Sequence, residues 1–380
     1  MKKKRIKWID GLKLFACCFV FFSHFQGFFY SSCNVDLGYS KVLKLFLDSP
    51  VNFLKNGNYW MCVFCIISGF FACKKKVESA KNLVYSLFSR YIRFVIPLFL
   101  ANIMAYIISG TIGFYTQKYG KIFQNDWIKQ YYDFKITFWI VIRATLKMTS
   151  ELDSPLWMLK PLFLGTCVIY VLKYLLSKMN AFLVNGLVIV GYSCIFCFFP
   201  QIHENYLYAW ITCLGCFLHV ILDKEYVKIN NKAIITGGFF ACFLSPWLIN
   251  GVLVSEIQKH VMVAPYVVNY LNAIMGLCLL IFVENSGGIK KFLESETLMK
   301  LNGLSFGIYL FHWLLISSFS LVIYEALIYY FNINIVFLID FALTLGVVGA
   351  LAFAFHSIIE NNIGKCQNRI KEYIVTIVKR

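Results

Sequence analysis

The chain alternates between long apolar runs and shorter polar connections. A helix that crosses roughly 30 Å of hydrocarbon needs about 17 to 25 mostly apolar residues. Ten runs are long enough to be candidates, and they cover residues 11–30, 57–73, 94–115, 156–177, 182–200, 205–222, 233–253, 263–283, 303–325 and 334–356. Because lipid cannot hydrogen-bond the backbone, and because no alternating ten-residue pattern occurs, these runs predict helices rather than barrel strands. We therefore predict an all-α integral membrane protein with about ten transmembrane helices in one bundle.

The connections between the runs differ in their content of Lys and Arg. Of the 36 basic residues, 24 lie in segments on the same side as the amino terminus, 10 lie in the alternate connections, and Lys13 and Lys160 lie within spans. An excess of Lys and Arg marks the cytoplasmic side, so both termini are predicted to be cytoplasmic. The first run is followed by no small-x-small cleavage site and is predicted to remain as an uncleaved span.

Neither a repeat nor a low-complexity linker divides the chain. We therefore expect a single membrane domain over residues 1–380 without an appended soluble domain. Apolar residues make up 59% of the chain and charged residues only 14%, which excludes an ordinary soluble protein. The net charge of +17 is explained by the basic residues between spans, so the expected partner is the lipid bilayer and no nucleic acid.

Six of the 14 cysteines form C-x-x-C pairs, a spacing also found in metal and redox sites. The pairs are Cys62 with Cys65, Cys194 with Cys197, and Cys213 with Cys216. All lie in strongly apolar runs without clustered histidines, where cysteine packs as a small apolar residue. Packing is the favoured interpretation, with metal or redox chemistry as the alternative, and no metal is expected.

Two ionisable side chains interrupt the first apolar run. Lys13 and His24 are 11 positions apart, so on a helix they lie within about 20° of one face and about 16 Å apart along the axis. An ionisable residue inside a span is costly and marks a candidate functional site. His24 is suited to accept a proton, and the stripe would connect the inner boundary to a point near the outside. Alternatively, Lys13 extends to the inner headgroups and His24 hydrogen-bonds another helix.

A second basic pair lies at the entry to the third span. Arg90 and Arg93 are spaced i, i+3 on a helix predicted to end at Pro97. Residues three apart share a helix face, and guanidinium groups bind phosphate oxygens bidentately. The pair is therefore a candidate phosphate site, although boundary residues of the positive-inside type have the same pattern.

Other polar or small residues within the runs are candidates for helix contacts or for functional roles. Ser68 and Gly69 indicate a close helix contact, and His312 is either a functional residue or a hydrogen-bonded structural one. Asp340 in the last span is a counter-ion or a satisfied structural acid. The connection 116–155 contains several aromatic residues, among them Trp127, which predict surface helices that form an interfacial aromatic belt or a sugar-stacking platform.

Five short motifs occur in an order that resembles the bacterial acyltransferase type 3 family of multi-pass O-acyltransferases. Residues 9–24, IDGLKLFACCFVFFSH, resemble the first-helix signature, with Asp10 in an Asp-Gly-Leu element and a basic residue followed by histidine 11 positions later. FCIISGFF resembles the Ser-Gly-Phe segment with Ser68 and Gly69, and the Arg-x-x-x-Pro entry follows it. LWMLKPLFL contains Trp157, and LSFGIYLFH contains Tyr309 and His312.

The resemblance implies an enzyme that takes an acyl group, usually acetyl, from cytoplasmic acetyl-CoA. The acceptor would be a hydroxyl of a surface glycan or a lipid-linked oligosaccharide, in the cytoplasmic membrane of a bacterium. His24 would act as the base and Lys13 would stabilise negative charge, while Arg90 and Arg93 would bind the donor's anionic groups. Asp10, Ser68, Gly69, Trp157, Tyr309 and His312 would support this site.

One departure from the family pattern concerns Lys13, where the family usually carries Arg. Lysine keeps the charge but lacks the planar five-donor fork. A polytopic transporter or flippase of a glycan is the main alternative, because intramembrane charges serve passage equally well, although no internal repeat is present. An inactive family member that acts as a membrane scaffold is a third. The sequence leaves the oligomeric state open, a homo-oligomer included.

Overall fold

The fold was determined as a computed structural model that describes residues 6–30, 49–175, 190, 204–223, 228–249, 265–360 and 362–363. Within these residues the secondary structure is helical throughout. The α-helices are α1 Lys7–Tyr30, α2 Gly57–Cys73, α3 Ala80–Gly110, α4 Thr116–Ile122, α5 Asp126–Lys129, α6 Phe138–Lys147, α7 Leu159–Leu175, α8 Glu204–Asp223, α9 Lys232–Trp247, α10 Pro265–Asn285, α11 Gly287–Leu293, α12 Glu296–Leu301, α13 Leu304–Leu315, α14 Leu321–Leu327 and α15 Ile333–Phe355.

Short helical turns of other types extend some of these helices. A 3-10 helix over Pro50–Lys55 precedes α2, and a second one over Ser154–Met158 leads into α7. π-helical turns over Ile316–Ser320 and His356–Glu360 follow α13 and α15. The first π-turn joins α13 to α14, so that Leu304–Leu327 forms one continuous helical segment.

Six helical segments are long and apolar enough to cross a membrane. They are Lys7–Phe28, Ala80–Gly110, Ser154–Leu175, Val267–Asn285, Leu304–Leu327 and Ile333–Glu360. Two shorter apolar helices, Gly57–Cys73 and Tyr206–Leu222, coincide with further predicted spans. The composition of these helices is that of a multi-pass membrane protein. An all-helical membrane fold is thus confirmed, with eight of the ten predicted runs represented among the described apolar helices.

The remaining two predicted runs are only partly covered. Helix α9 begins at Lys232, one residue before the run 233–253, and residues 250–253 lie outside the described part of the chain. The run 182–200 lies outside the described residues except for residue 190. Both chain ends, residues 1–5 and 364–380, are also outside them, so their predicted cytoplasmic location stays a prediction.

The third span is longer than the sequence pattern predicted. Helix α3 begins at Ala80, continues through Pro97 and ends at Gly110, so the prediction that the helix ends at Pro97 is wrong. Proline removes one backbone hydrogen bond but is tolerated in membrane helices, because neighbouring helices and local adjustments satisfy the freed groups. As a result, Arg90 and Arg93 lie well inside one continuous helix of 31 residues.

Several helices begin at residues with the side chains expected of N-caps. The side chain of Asn56 accepts a hydrogen bond from the Tyr59 backbone N–H at 3.0 Å at the start of α2. Ser79 accepts from the backbone N–H of Asn82 at 3.2 Å at the start of α3. These bonds satisfy backbone donors that have no partner within the helix.

Helices α2 and α8 cross at two facing glycines. A Cβ atom at Gly69 would collide with the carbonyl group of Thr212, and a Cβ at Gly215 would collide with the backbone of Ile66 and Phe70. Small residues at such crossings let the two backbones approach closely. Gly69 therefore has the helix-contact position that the sequence indicated.

A disulfide joins the same two helices near one end of this crossing. Cys73 and Cys216 are bonded, with their Cα atoms 5.6 Å apart. The interpretation of Cys216 as a packing residue is therefore wrong, because its partner lies 143 positions away and cannot be read from local spacing. Cys62, Cys65 and Cys213 are free and buried, as packing predicts. The pair at positions 194 and 197 lies outside the described residues.

Helix α1 packs against α2 and α13. Its last turn is closed by the connection that follows α4: the side-chain amide of Asn125 donates to the carbonyls of Gly27, at 3.2 Å, and Phe28, at 3.4 Å. Helix ends otherwise leave such carbonyls without donors. The side chain of Asn125 thus attaches the connection directly to the helix that carries His24.

Asp340 is a satisfied structural acid. It is fully buried in α15 and accepts hydrogen bonds from the hydroxyls of Ser320, at 2.8 Å, and Thr344, at 2.9 Å. A buried acid that is hydrogen-bonded in this way links neighbouring helices. Of the two readings of Asp340, the structure favours the structural one.

Candidate functional site

Two cavities lie along helix α1, one toward each end. The first, which we call the Lys13 cavity, has a volume of about 520 Å³. Its polar lining residues are Asp10, Lys13, Ser68, Arg90, Arg93, Asn302, Ser305, Tyr309, His356 and Glu360. Three basic side chains, those of Lys13, Arg90 and Arg93, line this one space, so the cavity is suited to an anionic ligand.

The second, which we call the His24 cavity, has a volume of about 350 Å³. Its lining residues are Ser23, His24, Asn56, Gly57, Asn58, Met61, Trp127, Pro155, Trp157, Pro246 and Tyr309. Amide and hydroxyl groups alternate here with flat aromatic surfaces. A pocket that combines a few polar groups with aromatic walls is typical of a site for a neutral, polar ligand.

Lys13 is held by its neighbours on α1 and α2. Its Nζ lies 3.3 Å from Oδ1 of Asp10, one helical turn earlier, and 4.7 Å from the centroid of the Phe71 ring. A carboxylate at i, i+3 and an aromatic face both favour the ammonium group at this position. The Asp10 carboxylate thus orients Lys13 on the wall of the Lys13 cavity.

Arg90 is a half-buried cation that lines the same cavity as Lys13. Its Nη2 donates a hydrogen bond to the hydroxyl oxygen of Ser68, and its guanidinium lies 4.4 Å from the centroid of the Phe94 ring. Arg93 lines the same cavity one helical turn later. Neither arginine forms an ion pair with a carboxylate of the described residues, and Nε of Arg90 has no hydrogen-bond partner among them. Donor groups of both arginines remain available to an anion.

The two histidines of the sequence motifs meet inside the bundle. Nε2 of His312 lies 3.0 Å from Nδ1 of His24, although the residues are 288 positions apart. His312 is fully buried, whereas His24 lines the His24 cavity. His312 is therefore a partner of His24 and lies on the side of the ring away from the cavity.

Hydrogen bonding fixes which nitrogen of each ring carries the proton. Nδ1 of His312 lies 2.8 Å from the carbonyl oxygen of Tyr309 and 3.2 Å from that of Ile308. Carbonyl oxygens only accept, so Nδ1 of His312 must donate, and Nε2 of the neutral ring must accept. His24 then donates from its Nδ1 to His312, which leaves Nε2 of His24 with the unshared lone pair of a base.

Aromatic rings surround His24 and form one wall of its cavity. The Trp127 ring stacks on the His24 ring with centroids 6.2 Å apart and planes at 15°, and Trp313 contacts it edge-on at 5.7 Å. Trp157 also lines the cavity, and its ring centroid lies 5.0 Å from that of Tyr208. This packing restricts rotation of the imidazole and leaves flat faces exposed to a ligand.

A buried acid lies next to the His24 cavity. Asp153 immediately precedes the lining segment and is 1% exposed, and neither carboxyl oxygen has a hydrogen-bond partner among the described residues. Burial raises the pKa of this carboxyl well above its ordinary value, because the charged form is poorly solvated. Burial therefore disfavours a negative charge on Asp153.

The structure distributes the residues predicted from sequence between the two cavities. Asp10, Lys13, Ser68, Arg90 and Arg93 line the Lys13 cavity, His24 and Trp157 line the His24 cavity, and Tyr309 lines both. Gly69 contributes to the helix crossing behind the Lys13 cavity and His312 lies behind His24. Their chemical roles stay predictions. The single stripe expected from Lys13 to His24 is divided into two compartments.

Several lining residues were not predicted as site residues, and four of them bear on the chemistry of the cavities. Met61 lines both cavities, while Asn302, His356 and Glu360 line the Lys13 cavity. His356 and Glu360 form an ion pair of 2.7 Å, if the ring is protonated, at the end of the last span. Their i, i+4 spacing at the end of an apolar run was a usable signal, whereas nothing in the sequence distinguishes Met61.

Within the described residues, no group of three or more His, Cys, Asp or Glu side chains has an arrangement suited to a metal ion.

A family model for an acyltransferase domain, that of the acyltransferase 3 family, matches residues 6–357, nearly the whole chain. No curated protein and no solved structure matches the chain. The matched region contains every residue of both cavities except Glu360. The chain therefore belongs to the acyltransferase 3 family of membrane-bound acyltransferases.

Proposed function

We propose that this acyltransferase transfers an acetyl group from acetyl-CoA to a hydroxyl group of a surface glycan or lipid-linked oligosaccharide. The observation that carries the proposal is the pairing of a cationic cavity with a histidine-containing aromatic cavity along helix α1. Phosphates of the donor match the cations, and a sugar matches the aromatic and amide groups. Two compartments suit two substrates that approach from opposite sides.

Sidedness follows from the basic connections. The Lys13 cavity lies toward the amino-terminal end of α1, the end that the Lys and Arg distribution assigns to the cytoplasm. The His24 cavity lies toward the other end of the same helix. In the proposed arrangement, acetyl-CoA enters from the cytoplasm of a bacterial cell and the glycan enters from outside.

The proposed reaction needs one proton acceptor. The acceptor hydroxyl attacks the thioester carbonyl, and Nε2 of His24 takes the hydroxyl proton as the new C–O bond forms. The C–S bond then breaks, and the coenzyme A thiolate takes that proton back from His24. The products are the glycan ester and free coenzyme A thiol, so charge and protons balance. Cations of the Lys13 cavity hold the donor's phosphates throughout.

An assay of purified protein in proteoliposomes tests this proposal. With labelled acetyl-CoA and a panel of oligosaccharides, we expect release of coenzyme A thiol and labelled ester that depend on both substrates. Trp127→Ala is expected to raise the acceptor KM about tenfold, because it removes a stacking face. Trp139→Ala is the matched control, since Trp139 is 69% exposed and lines neither cavity. Movement of the glycan across the bilayer without ester formation would instead support a transporter.

His312 is expected to act as a positioning residue for His24. His312→Ala removes the acceptor for the His24 Nδ1–H, so kcat should fall about 10- to 100-fold, the cost known for losing the hydrogen-bond partner of a metal-bound histidine. The KM for acetyl-CoA should stay unchanged. His312→Gln should restore part of kcat, because its amide oxygen can accept from His24. Equal losses in both variants would indicate that His312 contributes packing alone.

A further inference from the structure

The Lys13 cavity and the His24 cavity are adjacent but distinct. Among their described lining residues, two are common to both: Met61 from α2 and Tyr309 from α13. Each residue is 7% exposed and lines both cavities. Met61 and Tyr309 therefore form the wall between the two compartments.

Tyr309 is the fixed half of this wall. Its hydroxyl donates a hydrogen bond to the carbonyl of Pro155, which lines the His24 cavity, and its own carbonyl accepts from His312. Displacing Tyr309 would break the first bond and disturb the residue that orients His24. A side chain anchored at both its ring and its backbone is unsuited to opening.

Met61 is the adaptable half. Its side chain forms no hydrogen bond with another described residue. An unbranched thioether with three rotatable bonds changes shape at little cost and fills gaps of irregular shape. A narrow group could pass beside it, whereas a bulky nucleotide could not.

We propose that Met61 and Tyr309 form a partition that only the acyl-bearing end of the donor crosses, and that the size of residue 61 sets the longest acyl chain transferred. This inference rests on the proposed function. The nucleotide stays with the cations of the Lys13 cavity, while the thioester must reach His24, about 16 Å from Lys13 along the helix. The group that crosses therefore slides past the Met61 side chain.

The test compares acetyl-CoA, butyryl-CoA and hexanoyl-CoA as donors for the purified protein in proteoliposomes. Met61→Ala should raise the hexanoyl-to-acetyl ratio of kcat/KM at least tenfold, and Met61→Val should give an intermediate ratio. Met61→Phe should reduce acetyl transfer at least tenfold but leave the Kd for acetyl-CoA within twofold of wild type, since the cations are intact. Met158→Ala is the matched control, because Met158 is fully buried and lines neither cavity.

Two results would overturn the partition. One is a donor-length preference in Met61→Ala and Met61→Val that equals that of wild type and Met158→Ala. The other is acetyl transfer at the wild-type rate in Met61→Phe. If Met61→Ala does not fold, the smaller change in Met61→Val decides. Failure of the proposed function has a different signature, in which wild type itself uses none of the three donors, and the partition falls with it.

Discussion

The variant His24→Ala is expected to lose acyl transfer by about 10²- to 10⁴-fold in kcat, the usual contribution of a positioned general base. Nε2 of His24 carries the unshared lone pair that would take the acceptor proton, and no second imidazole lines the described part of the His24 cavity. Binding of acetyl-CoA should be retained, because the cations lie in the other compartment. Steady-state transfer and equilibrium donor binding measure the two effects separately.

Two controls make the His24 result specific. His219→Ala removes a histidine that packs on Phe70 at 5.9 Å and lines neither cavity, so this variant should keep wild-type transfer. Membrane insertion and thermal midpoint in detergent report whether each variant folds. Wild-type ester formation by folded His24→Ala would remove His24 from the mechanism.

The second large effect is expected at the half-buried guanidinium of Arg90. Arg90→Met should weaken acetyl-CoA binding about tenfold to hundredfold, because a hydrogen bond to a charged group contributes about 1.5–3 kcal/mol. The thermal midpoint should not fall in parallel, since Arg90 has no carboxylate partner among the described residues. Isothermal titration with acetyl-CoA and with acetyl-pantetheine, which lacks the nucleotide, would show whether the loss concerns the phosphates.

Arg143 offers a matched control for Arg90. It forms an ion pair with Glu151 in the connection 116–155 and lines neither cavity. Arg143→Met should therefore leave donor affinity unchanged. Unchanged affinity in both Arg90→Met and Arg93→Met would place the donor's phosphates elsewhere.

Local periodicity was enough to predict the helices and the relative positions of residues on the same helix. Lys13 and His24 share one helix, so their spacing alone fixed their relative direction, and length and hydropathy alone identified the spans. Arg90 and Arg93 were likewise predictable as neighbours. The helix end predicted at Pro97 was wrong because the rule that proline ends a helix comes from helices in water. It does not hold where neighbouring helices satisfy the freed backbone groups.

Contacts between distant segments were not predictable from one sequence. The pairing of His312 with His24 and of Cys73 with Cys216 depends on which helices become neighbours, and nothing in either local pattern specifies that choice. The same is true of Met61, an ordinary apolar residue whose position between two cavities exists only in the assembled bundle. For residues of this kind, the site has to be read from the fold.

The amide of Asn125 has a consequence for how a large acceptor could reach His24. Because it donates to the carbonyls of Gly27 and Phe28, the segment that carries Trp127 can move away from His24 only by breaking these two hydrogen bonds. These two bonds tether the aromatic cover of the imidazole to the last turn of α1. A long sugar chain would have to thread in from the flank, past Asn56 and Asn58, and present one hydroxyl at a time.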